Sequence, residues 1–349
     1  MSYCEKEPSH QSWILNLEKK DISLPNLSIL DHKLLHFDML AKEQMEHYLT
    51  MLSVDISDYT FAANYIWLAN VNAFYSVIND TFCLFVLTDG ELSMLLPPLG
   101  EREKVYDAML RCFEIMNENN SSHYYSRIDY VHETLLEGFV NYLEEGTLIY
   151  HTLEDYLIEK GLVDYVYRAD DLIELRGNAY HTKRNEINKF IKAYPDYHIA
   201  VLDSKVHADR ITYLFNKWVS DRVKYMPKGE VARFLEGIYQ EQLAIKRVLK
   251  HYGQLNLIGM VLFISGELKG FTVGERVNHD TASIIIEKTD FEVLGCAQFI
   301  FKEFCKILKD EYHCQYINVG DDMGFENLKK VKMSYRPAKL IPKYTIYQR

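Results

Sequence analysis

Apolar residues recur along this chain with two different periods. In residues 181–193, HTKRNEINKFIKA, Ile187, Phe190 and Ile191 stand three and four apart, which predicts one buried helix face, and Pro195 ends it. The same spacing predicts helices over 209–223, 229–249 and 293–308. Short β-rich runs predict strands at 197–202, 257–265, 268–277, 282–287, 316–318 and 340–347, with a short helix at 324–331. Turns at Gly266-Glu267 and Asn278-His279-Asp280 make three of these strands antiparallel. From 197 onward the order is β, α, α, β, β, β, α, β, α, β.

The first half carries a fainter version of that order. Helices are expected at 37–52 and 60–69, strands at 73–78, 82–87 and 92–96, and a helix at 101–116. A strand near 124–128, a helix at 130–142 and a strand at 147–151 follow. Repetition of the order predicts a duplicated fold, with domains at 1–160 and 161–349. Residues 151–175, with Gly161 and Asp170-Asp171, read as the connector. The expected class is α/β (α+β), each unit a mixed, mostly antiparallel sheet flanked by helices.

Composition adds one asymmetry. The 349 residues are 48% hydrophobic and 26% charged, an ordinary globular mixture with a net charge of -11. Residues 1–160 hold 26 acidic side chains and 10 basic ones, whereas 161–349 hold 24 and 29. An anionic ligand would favour the second half; plain divergence of surface charge would produce the same numbers. The chain begins without a secretory pattern, and its longest apolar run, 255–264, is about half of the ~20 residues that span a bilayer, so a cytoplasmic protein is expected. Six scattered cysteines without a Cys-x-x-Cys pair read as free buried thiols. His32 and His36 read as surface residues, and no metal site is expected.

Three segments carry a resemblance. They are Phe61-Ala-Ala-Asn64-Tyr65-Ile-Trp67; Asp164-Tyr165-Val-Tyr167-Arg168 continuing through Leu175-Arg-Gly177 to His181–Phe190; and Ile317-Asn318-Val-Gly-Asp321-Asp322-Met-Gly324 running on to Pro337. Together they resemble a bacterial family related to the C-terminal domain of phosphatidylglycerol lysyltransferase. The element order likewise resembles the GNAT acyltransferase fold. The resemblance implies two tandem GNAT-like domains. It also implies kinship with transferases that take an aminoacyl group from tRNA to lipid head groups or peptidoglycan precursors.

Within those segments, specific residues suit such chemistry. Lys183, Arg184 and Asn185 lie in the first turns of a helix, where free N–H groups and added cations favour a phosphate or carboxylate; the alternative is a solvated helix with Arg184 bridging to Asp170 or Asp171. From Lys329 to Arg349 there are seven basic residues and no acidic one, with Tyr335, Tyr344 and Tyr347 interleaved. That suits a phosphate backbone, and equally an exposed basic face. Asn318, Lys332 and Arg336 join the donor-binding candidates. Asp321 or Asp322, after a strand and before a helix, fits a general base, an amine ligand or a helix N-cap. Glu275, on a central strand, is a second base candidate, as is Glu287, and Tyr335 a candidate acid for the leaving group.

The donor can be questioned in the same way. Glu292-Val-Leu-Gly295-Cys-Ala297 keeps two small residues of the loop that holds pyrophosphate in GNAT enzymes, but Glu292 and Asp290 would repel it unless screened. Aminoacyl-tRNA is therefore expected as the donor ahead of acetyl-CoA, with no further cofactor. The expected function is acyl or aminoacyl transfer to an amine or hydroxyl. A CoA-dependent N-acetyltransferase and a binding module without chemistry are the alternatives.

Overall fold

The computed structural model describes residues 34–136 and 156–348. Within them, twelve strands form one sheet: β1 (Leu35–His36), β2 (Asn72–Ile78), β3 (Thr81–Thr88), β4 (Glu91–Met94), β5 (Arg127–His132), β6 (Tyr156–Arg168), β7 (His198–Val201), β8 (Ile258–Ile264), β9 (Glu267–Arg276), β10 (Thr281–Thr289), β11 (Tyr316–Asn318) and β12 (Lys339–Gln348). Their order is β1-β2-β3-β4-β5-β12-β6-β11-β10-β9-β8-β7. Each edge reads inward as the same sequence of pairings. The crossing point is β12 beside β6: the last strand lies against β5 of the first half, and β6 lies against β11 of the second.

Local chemistry explains the tight turns. Asn79-Asp80, Asp89-Gly90 and Ser265-Gly266 all have positive φ at both positions, the conformation that a two-residue hairpin matched to strand twist requires. The last of these shifts the expected turn at Gly266-Glu267 back by one residue. The parallel pairings among the described strands are β4 with β5, at Met94 and Ile128, and β10 with β11, over Thr281–Ser283 and Tyr316–Asn318. Both are short ladders, one in each half.

The helices are α1 (Lys42–Leu49), α2 (Phe61–Trp67), α3 (Arg102–Asn119), α4 (Ala169–Glu174), α5 (His181–Ala193), α6 (Ser204–Lys224), α7 (Val231–His251), α8 (Cys296–Asp310) and α9 (Glu326–Met333). On one face of the sheet, Met45, Phe61, Phe82, Phe215, Ile245 and Phe271 belong to a single core under α1, α2, α6 and α7, so both halves share it. The opposite face has two cores, Phe85, Phe113 and Ile128 under α3, and Tyr167, Phe190, Phe299 and Phe304 under α5 and α8.

The mixed, mostly antiparallel α/β class is the one expected. The connector is not. Over its described part, 151–175 is strand β6 and helix α4, so the division at 160/161 falls inside a central strand. Glu159, Lys160 and Gly161 lie on its exposed first part, and Asp164 is a fully buried charge, so no apolar run marks it. The strand near 124–128 sits at Arg127–His132, after a short 3₁₀ turn. The helix expected at 130–142 starts only at 133, after β5, and its residues 137–142, with the strand at 147–151, lie outside the described residues. Helix α6 begins earlier than its apolar stripe because Asp203 accepts from the N–H groups of Lys205 and Val206.

Close strand packing supplies a test. A Cβ at Gly274 would stand 2.3 Å from the Ser283 carbonyl oxygen across the β9–β10 ladder and 3.2 Å from the Phe304 ring. Gly274→Ala should lower unfolding stability by about 1–3 kcal/mol in chemical denaturation; no loss would mean that the ladder can widen.

Candidate functional site

The centre of the sheet holds a buried ammonium. Lys343 projects from β12, and its side chain is only 3% exposed. Its Nζ lies 2.9 Å from Asp58 Oδ2, 3.1 Å from Asp164 Oδ1 and 2.7 Å from Asp321 Oδ2, and sits over the Tyr130 ring at 4.6 Å. An ion taken out of water costs several kcal/mol unless paired, which accounts for the surrounding carboxylates. They come from the loop before α2, from β6 and from the loop after β11. Three carboxylates around one ammonium leave the group net anionic.

The three acids differ. Asp164 is fully buried. Its Oδ2 accepts from the Ser57 N–H and hydroxyl and from Asn318 Nδ2, each at 2.8 Å. Burial pushes its carboxyl up, but Lys343 and these donors hold it below the usual range. Asp58 keeps part of its side chain in solvent (27%). Burial, with Asp164 and Asp321 alongside, outweighs Lys343 and raises it to about 6. Asp321 accepts from the Met323 N–H at 2.8 Å, which ties it into its own loop.

That loop is braced from beneath. Lys332 donates to the carbonyls of Val319, Gly320 and Asp321 at 2.6, 3.2 and 2.5 Å, and burial draws its ammonium down to about 8. Tyr165 donates its hydroxyl to Asp322 Oδ2 at 2.5 Å, and Asp322 Oδ1 accepts from the Gly324 N–H at 2.9 Å. The N-cap of α9 is Phe325, so neither aspartate caps it. Asn318 binds Asp164, the Asp55 carbonyl and the Gly320 N–H, joining both halves.

The residues singled out in the sequence fall into separate places. Asp321 and Asn318 belong to the Lys343 centre, with Lys332 and Asp322 in the adjoining loop. Glu275 is buried at the start of α2, accepting from Thr60 Oγ1 at 2.6 Å; burial raises it to about 8. Lys183, Arg184, Asn185 and Tyr335 make their contacts elsewhere. Lys183 Nζ lies 4.5 Å over the Tyr335 ring, Asn185 meets His181, and Arg184 donates to the carbonyls of Leu175 and Gly177 rather than to Asp170 or Asp171. Burial pushes the Tyr335 phenol well up, which weakens it as an acid. Arg336 is exposed, in a left-handed conformation. Asp58, Ser57, Tyr130 and Lys343 were not among the candidates; a lone charge inside an apolar strand, as at Asp164 or Lys343, was the available signal.

Two sequence readings change. The basic tail is partly internal: Lys332 and Lys343 are turned inward, and Lys339 pairs with Asp55 at 3.0 Å. Asp55 and Asp58 both come from the acidic half, so part of the charge asymmetry is used within the molecule. The carboxylates near the loop before α8 are also compensated, Asp290 by Lys217 and Lys269 and Glu292 by Lys217. The loop itself is covered. Gly295 has φ +78, and a Cβ there would stand 2.3 Å from the Glu186 carbonyl oxygen of α5.

Among the described residues, no cluster of His, Cys, Asp and Glu could hold a metal, and no helix is long and apolar enough to cross a membrane. Five described cysteines are free and buried.

The mixed, mostly antiparallel sheet with helices on both faces makes this an α/β protein of GNAT-like fold. More narrowly, the chain belongs to the family described as phosphatidylglycerol lysyltransferase, C-terminal, whose profile matches residues 50–347. Solved structures with the same fold include a conserved protein of unknown function from Bacteroides thetaiotaomicron (TM-score 0.73, 23% identity, covering 92% of this chain and 100% of that one). Another is the C-terminal domain of a putative lysylphosphatidylglycerol synthetase from Agrobacterium fabrum (TM-score 0.61, 13% identity, 89% and 93% covered). A third is L-PGS from Bacillus licheniformis (TM-score 0.56, 15% identity, 88% and 91% covered). An uncharacterized protein of Mycoplasmoides gallisepticum is 24% identical over 195 residues, 54% of this chain and 58% of that protein's length.

Breaking the central pair should be costly. Lys343→Met leaves buried carboxylates without their counter-ion and is expected to destabilise by about 3–5 kcal/mol in denaturant titration. Glu275 gives a pH test. Its pKa is raised from 4.5 to about 8 on folding, so the native state holds the proton first and stability falls as pH rises through that window. Glu275→Gln should flatten the dependence of the unfolding midpoint between pH 5 and 8; an unchanged slope would mean that water reaches this carboxyl.

Proposed function

We propose that the protein is an acyl- or aminoacyl-transferase acting at the Lys343 centre, with aminoacyl-tRNA as donor and an amine or hydroxyl compound as acceptor. The observation that carries this reading is the excess of carboxylate around Lys343, with Asp58 still in contact with solvent. A net-anionic, partly dry site suits the ammonium of an aminoacyl group. In transfer, the acceptor's O–H or N–H attacks the donor's ester carbonyl. Its proton passes to Asp58, whose raised pKa suits a base near neutrality. Collapse of the intermediate breaks the bond to the tRNA ribose oxygen, which leaves with a proton. Asp321, held through Lys343, would fix the incoming ammonium. Membership of the phosphatidylglycerol lysyltransferase family supports the chemistry, and makes a lysyl group and a lipid hydroxyl the first donor and acceptor to try.

Two features favour tRNA over CoA. The turn before α8 packs against the Glu186 carbonyl of α5, which crowds the place a pyrophosphate would take. Lys183 and Arg336 sit beside Tyr335 and offer cations to a nucleic-acid backbone.

The test pairs binding with turnover. Charged tRNA should raise the thermal unfolding midpoint and acetyl-CoA should not. Asp58→Asn should cut the rate of lysyl transfer from lysyl-tRNA by about 10²–10⁴-fold while tRNA still binds. Reversing Lys183 and Arg336 to Glu should weaken tRNA binding and reduce its salt slope. Stabilisation by acetyl-CoA alone would replace this reading with the acetyltransferase one.

A further inference from the structure

Where the segment after β4 and the segment 51–54 meet the end of β5 lies a cavity of about 330 Å³, at the lower end of the range for small-molecule sites. Leu52, Val54, Pro97, Val105 and Leu135 give it apolar walls, and Arg102 and His132 give it a polar end. The wall at 97–100 is held against β3 by the paired backbone bonds of Phe82 and Leu99, at 2.8 and 2.9 Å. At Gly100 it passes so close that a Cβ would stand 3.0 Å from Thr81 Cγ2.

The polar end consists of donors. Among the described residues no carboxylate lines the cavity, although this half of the chain has 26 acidic side chains against 10 basic ones. Arg102 is exposed, and no carboxylate among the described residues forms an ion pair with it. His132 Nδ1 accepts from the Leu135 N–H at 3.1 Å and lies 2.5 Å from Thr134 Oγ1. That contact puts the proton of the neutral ring on Nε2. Burial, aided by the Arg102 charge, lowers the imidazole to about 4, so the ring stays neutral and donates one hydrogen bond. A guanidinium and an imidazole N–H at the end of an apolar slot match one kind of ligand.

We propose that this cavity binds an amphiphilic anion, a carboxylate or phosphate monoester on a medium-length apolar chain, with its head on Arg102 and His132 and its body along Leu52, Val54, Pro97 and Leu135. The cavity adjoins the Lys343 centre, since His132 is the cross-strand partner of Lys343, but it is lined by other residues and the proposal does not rest on the transferase reading.

Isothermal titration of the full chain with octanoate, octyl phosphate, octanol and inorganic phosphate tests it, without tRNA or acceptor. Octanoate, octyl phosphate or both should bind at least tenfold tighter than octanol or inorganic phosphate, and whichever of the two binds tighter names the head group. Arg102→Gln, at an exposed position, should cost about tenfold for the anions and leave octanol unchanged. Ser53→Trp, also at an exposed lining position, should fill the slot and abolish binding while the unfolding midpoint is retained. Equal affinity for octanol and octanoate, anion binding that survives Ser53→Trp, or no binding of either anion would overturn the proposal.

Discussion

Lys343 needs its carboxylates, and that need organises the middle of the molecule. A buried ammonium can stay charged only where acids reach it. The acids here come from three places far apart in sequence, so satisfying one side chain fixes the loop before α2, strand β6 and the loop after β11 relative to β12. A second ring of bonds follows. Asp164 gathers Ser57 and Asn318, and Asn318 gathers Asp55 and Gly320. Exposed pairs such as Arg111–Glu114 or Lys42–Glu46 contribute at most about 1 kcal/mol each by comparison, because water competes for both partners.

The charge group also says where chemistry can be sited. It is assembled from both halves of the chain, so neither half alone contains it. Around it, one sheet face is covered by a core common to both halves, with Arg247 of α7 donating to the Tyr65 carbonyl of α2. The opposite face has two separate cores. The shared face thus ties the two halves together across the centre. The halves differ at their flanks: in the second, the turn before α8 is packed against α5 at Gly295, and in the first a cavity lies beside His132.

Much of the fold was legible because apolar period and turn chemistry agree. The stripe of Ile187 and Phe190 gave α5, and the order of elements gave the class. What escaped has identifiable physical causes. β6 carries Glu159, Lys160, Gly161 and Asp164, and charge in a strand reads as a connector until its partners are known. A run of lysines reads as surface for the same reason, yet Lys332 caps carbonyls and Lys343 lies in the core. Arg184 was read as a ligand contact or a partner of Asp170 or Asp171 because the left-handed Leu175 that ends α4, and so exposes carbonyls to it, leaves no mark in the sequence. Asp321 and Asn318 were singled out through the family-like segment and the position after a strand; the Lys343 that Asp321 meets is 22 residues later and on another strand.

The crossing of β12 and β6 also bears on how the sheet is protected. β5 and β6 each present an open edge unless residues 339–348 are paired between them. A molecule in which that strand detaches holds two unpaired strand edges, and Asp58 and Asp164 without their cation. Such edges are templates for pairing with other chains. β12 therefore does more than join the halves: it keeps the middle of the sheet from recruiting another molecule.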